Sequence, residues 1–332
     1  MSPSRWFVRA IICGPLLLAL LVAALSPCAV RAQVPYPNHT IRIVSALAAA
    51  SVSDISLRFL GQELSARLRV PVVIENQPGT GGVAAARAVM SAQPDGYTLA
   101  LGGNNWALGI GLFKSLPFDP RTDLTPVVGI SEFAYLFVTS QASAYHSLAQ
   151  VIAAARAKPN SLTFGTSSAG TTNHLTALLF KSTLGLDFVV VPYKGPSDLS
   201  VALMRNDIDV VVNAYGGLRQ GIEQGQIRAL ATTTAARLPQ LPDVPTMQES
   251  GVADFDVSSW NALYAPVGTP AEAIQTISRA VTDILSEGGM QQRFRELGLQ
   301  VKTAPADQLA RRMRQESDRW SRVIAESGIE KQ

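Results

Sequence analysis

The chain has 332 residues, of which 47% are hydrophobic and 16% charged, with 25 Gly, 20 Pro and 2 Cys. That composition excludes a disordered polymer, a collagen or coiled-coil fibre and a disulfide-stapled miniature. At roughly 100–200 residues per domain the length implies two lobes, and the formal net charge of +3 belongs almost wholly to the first segment.

Arg5 and Arg9 precede an apolar run from Ile11 to Leu25, and Val30-Arg31-Ala32 places small residues at positions −3 and −1 of a cleavage site. This reads as a secretory signal peptide over residues 1–32. The competing reading, a retained anchor, fails on length, because a run of about 15 residues broken by Gly14-Pro15 falls short of the roughly 20 needed to span a bilayer. A lipoprotein reading of Cys28 is disfavoured by Pro27 before it. Cleavage near Ala32 removes three arginines and no acid, leaving 25 of the 28 basic residues against 25 acidic ones. The exported chain is then neutral, with no field to hold nucleic acid or an anionic membrane. Cys13 and Cys28 leave with the peptide, and with them any disulfide, thiol nucleophile or cysteine metal site.

Beyond residue 40, short β-branched runs alternate with helical patterns, as parallel α/β architecture requires. Ile41 to Val44 reads as a strand, and Asp54 as the cap of a helix carrying Ile55, Leu60, Leu64 and Leu68 on one face. Val72 to Ile74, a helix near 83–92 and a strand from Tyr97 to Leu101 continue the series. The pattern breaks at Pro117-Phe118-Asp119-Pro120, and a fresh strand runs from near Val127 through Tyr135 to Thr139. Ser147 and Gln150 form a capping-box pair for the next helix. A second series follows: strand Leu162 to Gly165, helix Asn173 to Leu184 stopped by Gly185, strand Phe188 to Val191, helix Asp198 to Arg205, strand Asp209 to Val212 and strand Ile227 to Thr232. Ser258 to Ala265 returns the chain to the first series. Helices from Pro270 to Leu285 and from Pro305 to Glu326 close it, with Trp320 and Ile324 on a packing face. The implied division is 33–126 plus 258–332 for one lobe and 127–257 for the other. Between two such lobes a ligand cleft lies at the carboxyl ends of the strands.

The segment Gly165 to His174 joins a strand end to a helix start and is rich in hydroxyls and glycines. Free N–H groups and the positive dipole end at such a start attract an anion without any Arg or Lys. An ordinary Ser/Thr-capped helix is the alternative, and Thr171 stands where a phosphate loop requires Lys. The small-residue stretch Ser45 to Ser53 brings backbone close to a ligand or forms the first turn of an Ala-rich helix. Gly79 to Gly82 reads as a structural turn. Trp106, Tyr193 and Tyr215 lie near predicted strand ends, as ligand walls or as packing, and Lys194 is a cleft cation or a solvated loop charge. His39, His146 and His174 have no metal-binding spacing, so neither a metal nor a cofactor is expected. A hydrolase using Ser167 with His174 lacks the Gly-x-Ser-x-Gly signature, since Ala169 ends the run.

Taken together, Ile41-Arg42-Ile43-Val44, Glu75 to Gly82, Pro94-Asp95-Gly96-Tyr97-Thr98-Leu99, Leu116 to Pro120, Gly165 to Leu175, Val191-Pro192-Tyr193-Lys194-Gly195, Ile227 to Ala231, Leu241 to Thr246, Ala265 to Pro270 and Arg319-Trp320 cover nearly all of the exported chain in order. They resemble the extracytoplasmic solute receptors of the tripartite tricarboxylate transporter system, the Bug receptors. The resemblance implies an α/β, type II periplasmic-binding-protein fold of two Rossmann-like lobes. It also implies capture of a small carboxylate, delivery to membrane permease subunits, and no catalysis. In this family the ligand lies between the loop after the first strand and the loop at Thr166 to Asn173, and Asp54 matches an acidic residue that orients the first of these.

The expected ligand-binding residues are therefore Ala48, Ala50, Ser51, Asp54, Asn104, Trp106, Thr166, Ser167, Gly170, Thr171, Thr172, Tyr193 and Asn213. Three departures from the family pattern bear on ligand identity. Ala49-Ala50-Ser51 replaces Pro-Gly-Gly, Asn213 replaces Asp, and Trp106 and Gly109 replace His and Asn, which suggests a more aromatic or less charged carboxylate. The exported protein is expected to be a periplasmic monomer. An exported hydrolase and a ligand sensor for a membrane signalling protein are the competing functions.

Overall fold

The computed structural model describes residues 35–47, 49–167, 169–193, 196–326 and 331. The export segment with its two cysteines, and Ala48, Ser168, Lys194 and Gly195, lie outside them. In chain order the first half contributes β1 (Ile41–Ser45), α1 (Val52–Leu68), β2 (Val72–Asn76), α2 (Val83–Met90), β3 (Thr98–Gly103) and α3 (Asn104–Leu112). The long strand β4 (Leu124–Ser140) leads into α4 (Leu148–Ala157), β5 (Thr163–Thr166), α5 (Thr172–Leu184), β6 (Val189–Pro192), α6 (Pro196–Met204), β7 (Val210–Ala214), α7 (Tyr215–Glu223) and β8 (Ile227–Thr232). The chain then returns through β9 (Ser258–Pro266), α8 (Ala271–Ser286), α9 (Gly288–Glu296), β10 (Gln300–Val301) and α10 (Ala306–Glu326).

The strands follow the order β2-β1-β3-β9-β4-β7-β5-β6, with β8 and β10 also on β4. On one side β1, β2 and β3 pair in parallel, and β9 runs antiparallel between β3 and the first part of β4. On the other side β5, β6 and β7 are parallel, and the last part of β4 runs antiparallel between β7 and β8. Each half thus repeats one topology, two βα units with one antiparallel strand that arrives from the opposite half. The crossing is tied at Thr233, whose N–H donates to the Tyr135 carbonyl (3.0 Å) and whose hydroxyl donates to the Val257 carbonyl (2.7 Å).

Local chemistry explains the boundaries. Ser147 accepts from the Gln150 N–H, and Gln150 Oε1 accepts from the His146 N–H at 2.6 Å, closing the expected cap. Gly185 ends α5 at φ 58°, in the left-handed region that costs glycine nothing. A Cβ at Gly103 would lie 2.0 Å from the Trp260 carbonyl, so the close approach of β3 to β9 depends on its absence. The core follows the same division. Ile43, Leu60, Leu101, Leu263 and Ile284 pack around the first half, and Phe137, Phe164, Phe180 and Phe188 around the second. α10 serves both, with Leu309 and Met313 in a first-half cluster and the fully buried Trp320 and Ile324 among the second-half aromatics.

Two expectations are corrected. The helix after β1 starts at Val52 with Ser51 as its cap, three residues before the Asp54 start read from the sequence. Residues 46–47 and 49–51 lie outside any helix, so of the two readings of this stretch the loop stands and the first helical turn does not, and Ala50 sits at φ 61°.

Candidate functional site

The strand ends of the two halves bring four segments together, the first of which is the loop after β1. Ser51 accepts from the Asp54 N–H (3.3 Å), and Asp54 reaches back to accept from the Ala50 N–H (2.9 Å). The same carboxylate accepts from Arg58 Nε (2.9 Å) and Asn76 Nδ2 (2.8 Å), and Asn76 also donates to the Leu47 carbonyl. Burial works to raise the Asp54 carboxyl, but Arg58, Asn76 and the Ala50 amide outweigh it and hold the group below its ordinary range. Asp54 is therefore a buried anion that shapes the loop; its oxygens are occupied by the protein.

The second segment is the loop between β5 and α5, organised by Asn173. This side chain is buried and uses its full bonding capacity. Nδ2 donates to Ser167 Oγ (2.9 Å) and the Val212 carbonyl (3.1 Å), while Oδ1 accepts from Thr171 Oγ1 (2.6 Å) and the His174 N–H (3.1 Å). Gly170, at φ 77°, donates its N–H to His174 Nδ1 (3.3 Å). That bond requires a neutral Nδ1 acceptor, and burial pushes the imidazole pKa below 6.5. Ser167 is thus bonded to Asn173 and His174 to the Gly170 amide, so the two are not arranged as nucleophile and base.

At the third segment, the end of β3, Asn104 opens α3 and donates Nδ2 to Thr172 Oγ1 at 3.1 Å, joining the helix starts of the two halves. Tyr135, on the crossing strand, is buried, and burial raises its hydroxyl above the ordinary range. Asn105 faces the other way, its Nδ2 near Gly82, alongside Ala46 from the loop after β1. The fourth segment is the end of β7, where Asn213 Oδ1 accepts from the Ala214 N–H (2.9 Å) at the start of α7. Thr166 is fully buried, and its carbonyl accepts from the Tyr193 N–H (2.9 Å), which places Tyr193 at the rim of the second half against Leu199 and Leu203.

Trp106 requires a correction. It is fully buried, its ring 5.1 Å from Tyr264 and 6.0 Å from Phe118, so it belongs to the first-half core and offers no wall to a ligand. Tyr215 is buried beside Gly298. Of the remaining expected residues, Ala50, Ser51, Ser167, Gly170, Thr171 and Thr172 lie on the two loops and their helix starts, and Asn104 opens α3 against Thr172. Sequence reading placed Asn173 only at the end of its loop and missed its organising part, although an Asn directly after two threonines at a helix start was a usable signal. Arg58 and Asn105 were missed outright.

The two halves also touch outside this cluster. Gly216 lies against the Leu297 carbonyl and Val52, while Arg219 and Gln240 donate to the carbonyls of Glu296 (2.7 Å) and Arg295 (3.0 Å) at the end of α9.

Residues 56–329 match the family model of the tripartite tricarboxylate transporter family receptor. The chain belongs to that family. It is 33% identical over 313 residues, 93% of this chain and 90% of the relative, to a protein encoded in the ttuE-ttuC' intergenic region of Agrobacterium vitis. Among solved structures, Rpa4515 of R. palustris with adipate aligns with TM-score 0.82 at 30% identity, over 89% of this chain and 99% of that one. MatC of Rhodopseudomonas palustris with bound malate aligns with TM-score 0.78 at 28% identity, over 87% and 100%. The fold is accordingly that of the periplasmic binding proteins, and the chain is a solute receptor of a transport system, not an enzyme. Receptors of this family are periplasmic binding proteins and work with tripartite transporters.

Proposed function

We propose that this receptor captures a small carboxylate between the loop after β1 and the start of α5, and hands it to the membrane permease subunits of a tripartite tricarboxylate transporter. The observation that carries the reading is the Asn104–Thr172 hydrogen bond, which draws the helix starts of the two halves to one point. There the amides of α5, the hydroxyls of Ser167 and Thr172 and the amide side chains of Asn104 and Asn213 supply donors, while the Thr171 hydroxyl is spent on Asn173 Oδ1. A helix start stabilises negative charge by about 0.3–2 kcal/mol. Micromolar capture needs about 8 kcal/mol, so several directed hydrogen bonds and exclusion of water must contribute the rest. The lobes, residues 33–126 with 258–332 and residues 127–257, close about β4 and the return to β9, and the bound ligand favours the closed form. Adipate and malate in the two structural relatives support a carboxylate ligand here.

The working form is a periplasmic monomer released by cleavage near Ala32. A thermal-shift screen of di-, tri-, amino and aromatic acids, followed by calorimetry, tests the reading. A cognate acid raises the melting temperature with concentration above its dissociation constant and is recovered unchanged. No shift with any carboxylate at millimolar concentration would refute it.

A further inference from the structure

We infer that Asn104 sets the class of carboxylate, selecting an acid with an O–H or N–H donor on the carbon next to its carboxyl group over the unsubstituted acid of the same length. This rests on the carboxylate reading above and adds the identity of the substituent. Asn104 is only 1% exposed. Its carboxamide lies at the junction of the two helix starts, with Nδ2 committed to Thr172 Oγ1. Its Oδ1 is buried and has no hydrogen-bond partner among the described residues.

A buried acceptor without a donor costs about as much as a lost hydrogen bond, so an orphan of this kind calls for an explanation. Here the explanation follows from position. The oxygen belongs to the same carboxamide that touches Thr172, the first residue of α5. A carboxylate held by the amides at that helix start would bring its adjacent carbon toward this carboxamide. A bare carboxylate oxygen would meet an acceptor with an acceptor and be rejected. A hydroxyl, or the N–H of an amine or amide, would complete the carboxamide by donating to Oδ1, while the second Nδ2 hydrogen stays available to the carboxylate oxygen beside it. The selection is of the strong kind, because the wrong ligand leaves a buried polar group of the protein unmatched.

Matched acid pairs test this on the exported chain: succinate against malate, adipate against 2-hydroxyadipate, and phenylacetate against mandelate, each by calorimetry and thermal shift. In the pair that fits the cleft, the hydroxy acid should bind about tenfold tighter or more. Asn104→Leu keeps the side-chain volume and removes the acceptor, so the two members should then bind within about twofold of each other. Asn104→Asp keeps an acceptor and should retain the hydroxyl preference at lower overall affinity, which a purely structural role for Asn104 would not produce. Equal or tighter binding of the unsubstituted acid to the native chain, or a hydroxyl preference that survives in a folded Asn104→Leu variant, overturns the inference while leaving the carboxylate reading standing. If no member of any pair binds, both fall together.

Discussion

Replacing Asn173 with Asp puts a negative charge at the start of α5 with almost no change in shape, and so asks whether the ligand's charge sits there. The structure sets the cost to folding. Nδ2 is lost as a donor to Ser167 Oγ and the Val212 carbonyl. The Ser167 hydroxyl can turn and donate to the new carboxylate, but the carbonyl cannot, and a buried acceptor left unmatched costs about 1–3 kcal/mol. The new charge at a helix N-terminus returns about 0.3–1 kcal/mol. The net loss, about 1–2 kcal/mol, leaves a domain of ordinary stability folded, with a melting temperature lower by several degrees. Binding should suffer far more. Two carboxylates about 5 Å apart at an effective dielectric near 20 repel by about 3 kcal/mol, which is about two orders of magnitude in affinity. Calorimetry with the cognate acid, beside a thermal melt of the unliganded variant, separates the two effects. A folded Asn173→Asp protein that binds within about threefold of the native chain would show that the anion is not held at this helix start.

Gly216→Val would place a Cβ 2.4 Å from the Leu297 carbonyl and 2.7 Å from Val52, so the halves could not approach as they do here. Affinity should drop about tenfold or more, with a liganded form that stays expanded in small-angle scattering. A compact, fully competent variant would show that this contact has no part in closure. The half-buried His174 titrates below its ordinary 6.5 because partial burial disfavours the charged ring. A lowered folded-state pKa means that its contribution is complete above about pH 6.5 and is lost as the pH falls through the depressed value. Ligand affinity should therefore stay flat from neutral pH through 6.5 and fall only as the pH drops through the depressed value, and His174→Gln should flatten the acid limb. An identical acid limb in that variant would acquit His174. Salt gives a further check. A ligand held by dipoles and amide groups inside a closed cleft should lose little affinity between low and high ionic strength, whereas a clamp of exposed Lys and Arg would weaken steeply.

The βα alternation, the break at Pro117–Pro120 and the return at Ser258 were legible because buried parallel strands are short β-branched runs and α/β helices show a stripe. α3 was not legible, for the opposite reason. Trp106, Ala107, Leu108, Gly109, Gly111 and Leu112 are all buried, and Gly111 lies against the backbone of Ser321 in α10. A helix covered on nearly every side carries no polar face and hence no period to read. That omission produced the error at Trp106. Placed on a loop at a strand end, the indole belonged in the cleft; placed on the first turn of a helix, it swings back over Gly102, where a Cβ would lie 2.0 Å from the ring. Asp54 shows the converse. It was read as the helix cap, a place that Ser51 takes, and the bonds to Ala50, Arg58 and Asn76 show how it shapes the loop from beneath.

On the proposed reading, this division of labour bears on how a receptor can select an anion without a charged clamp. Arg58 is the guanidinium closest in the network to the loop after β1, and it is committed to Asp54 and to Asn76 Oδ1. Among the described residues these charges neutralise one another and hold backbone in place, which on the proposed reading leaves recognition to groups that carry no net charge. Such groups suit a receptor that must also release its cargo. A helix start or an asparagine gives full value only when the cleft is closed and water is excluded, because its strength depends on the low local dielectric. A desolvated lysine or arginine would go on attracting the anion as the lobes part. With oriented dipoles, opening about the Thr233–Tyr135 crossing would readmit water and weaken each contact at once, so the conformational change proposed to deliver the ligand would also lower its affinity.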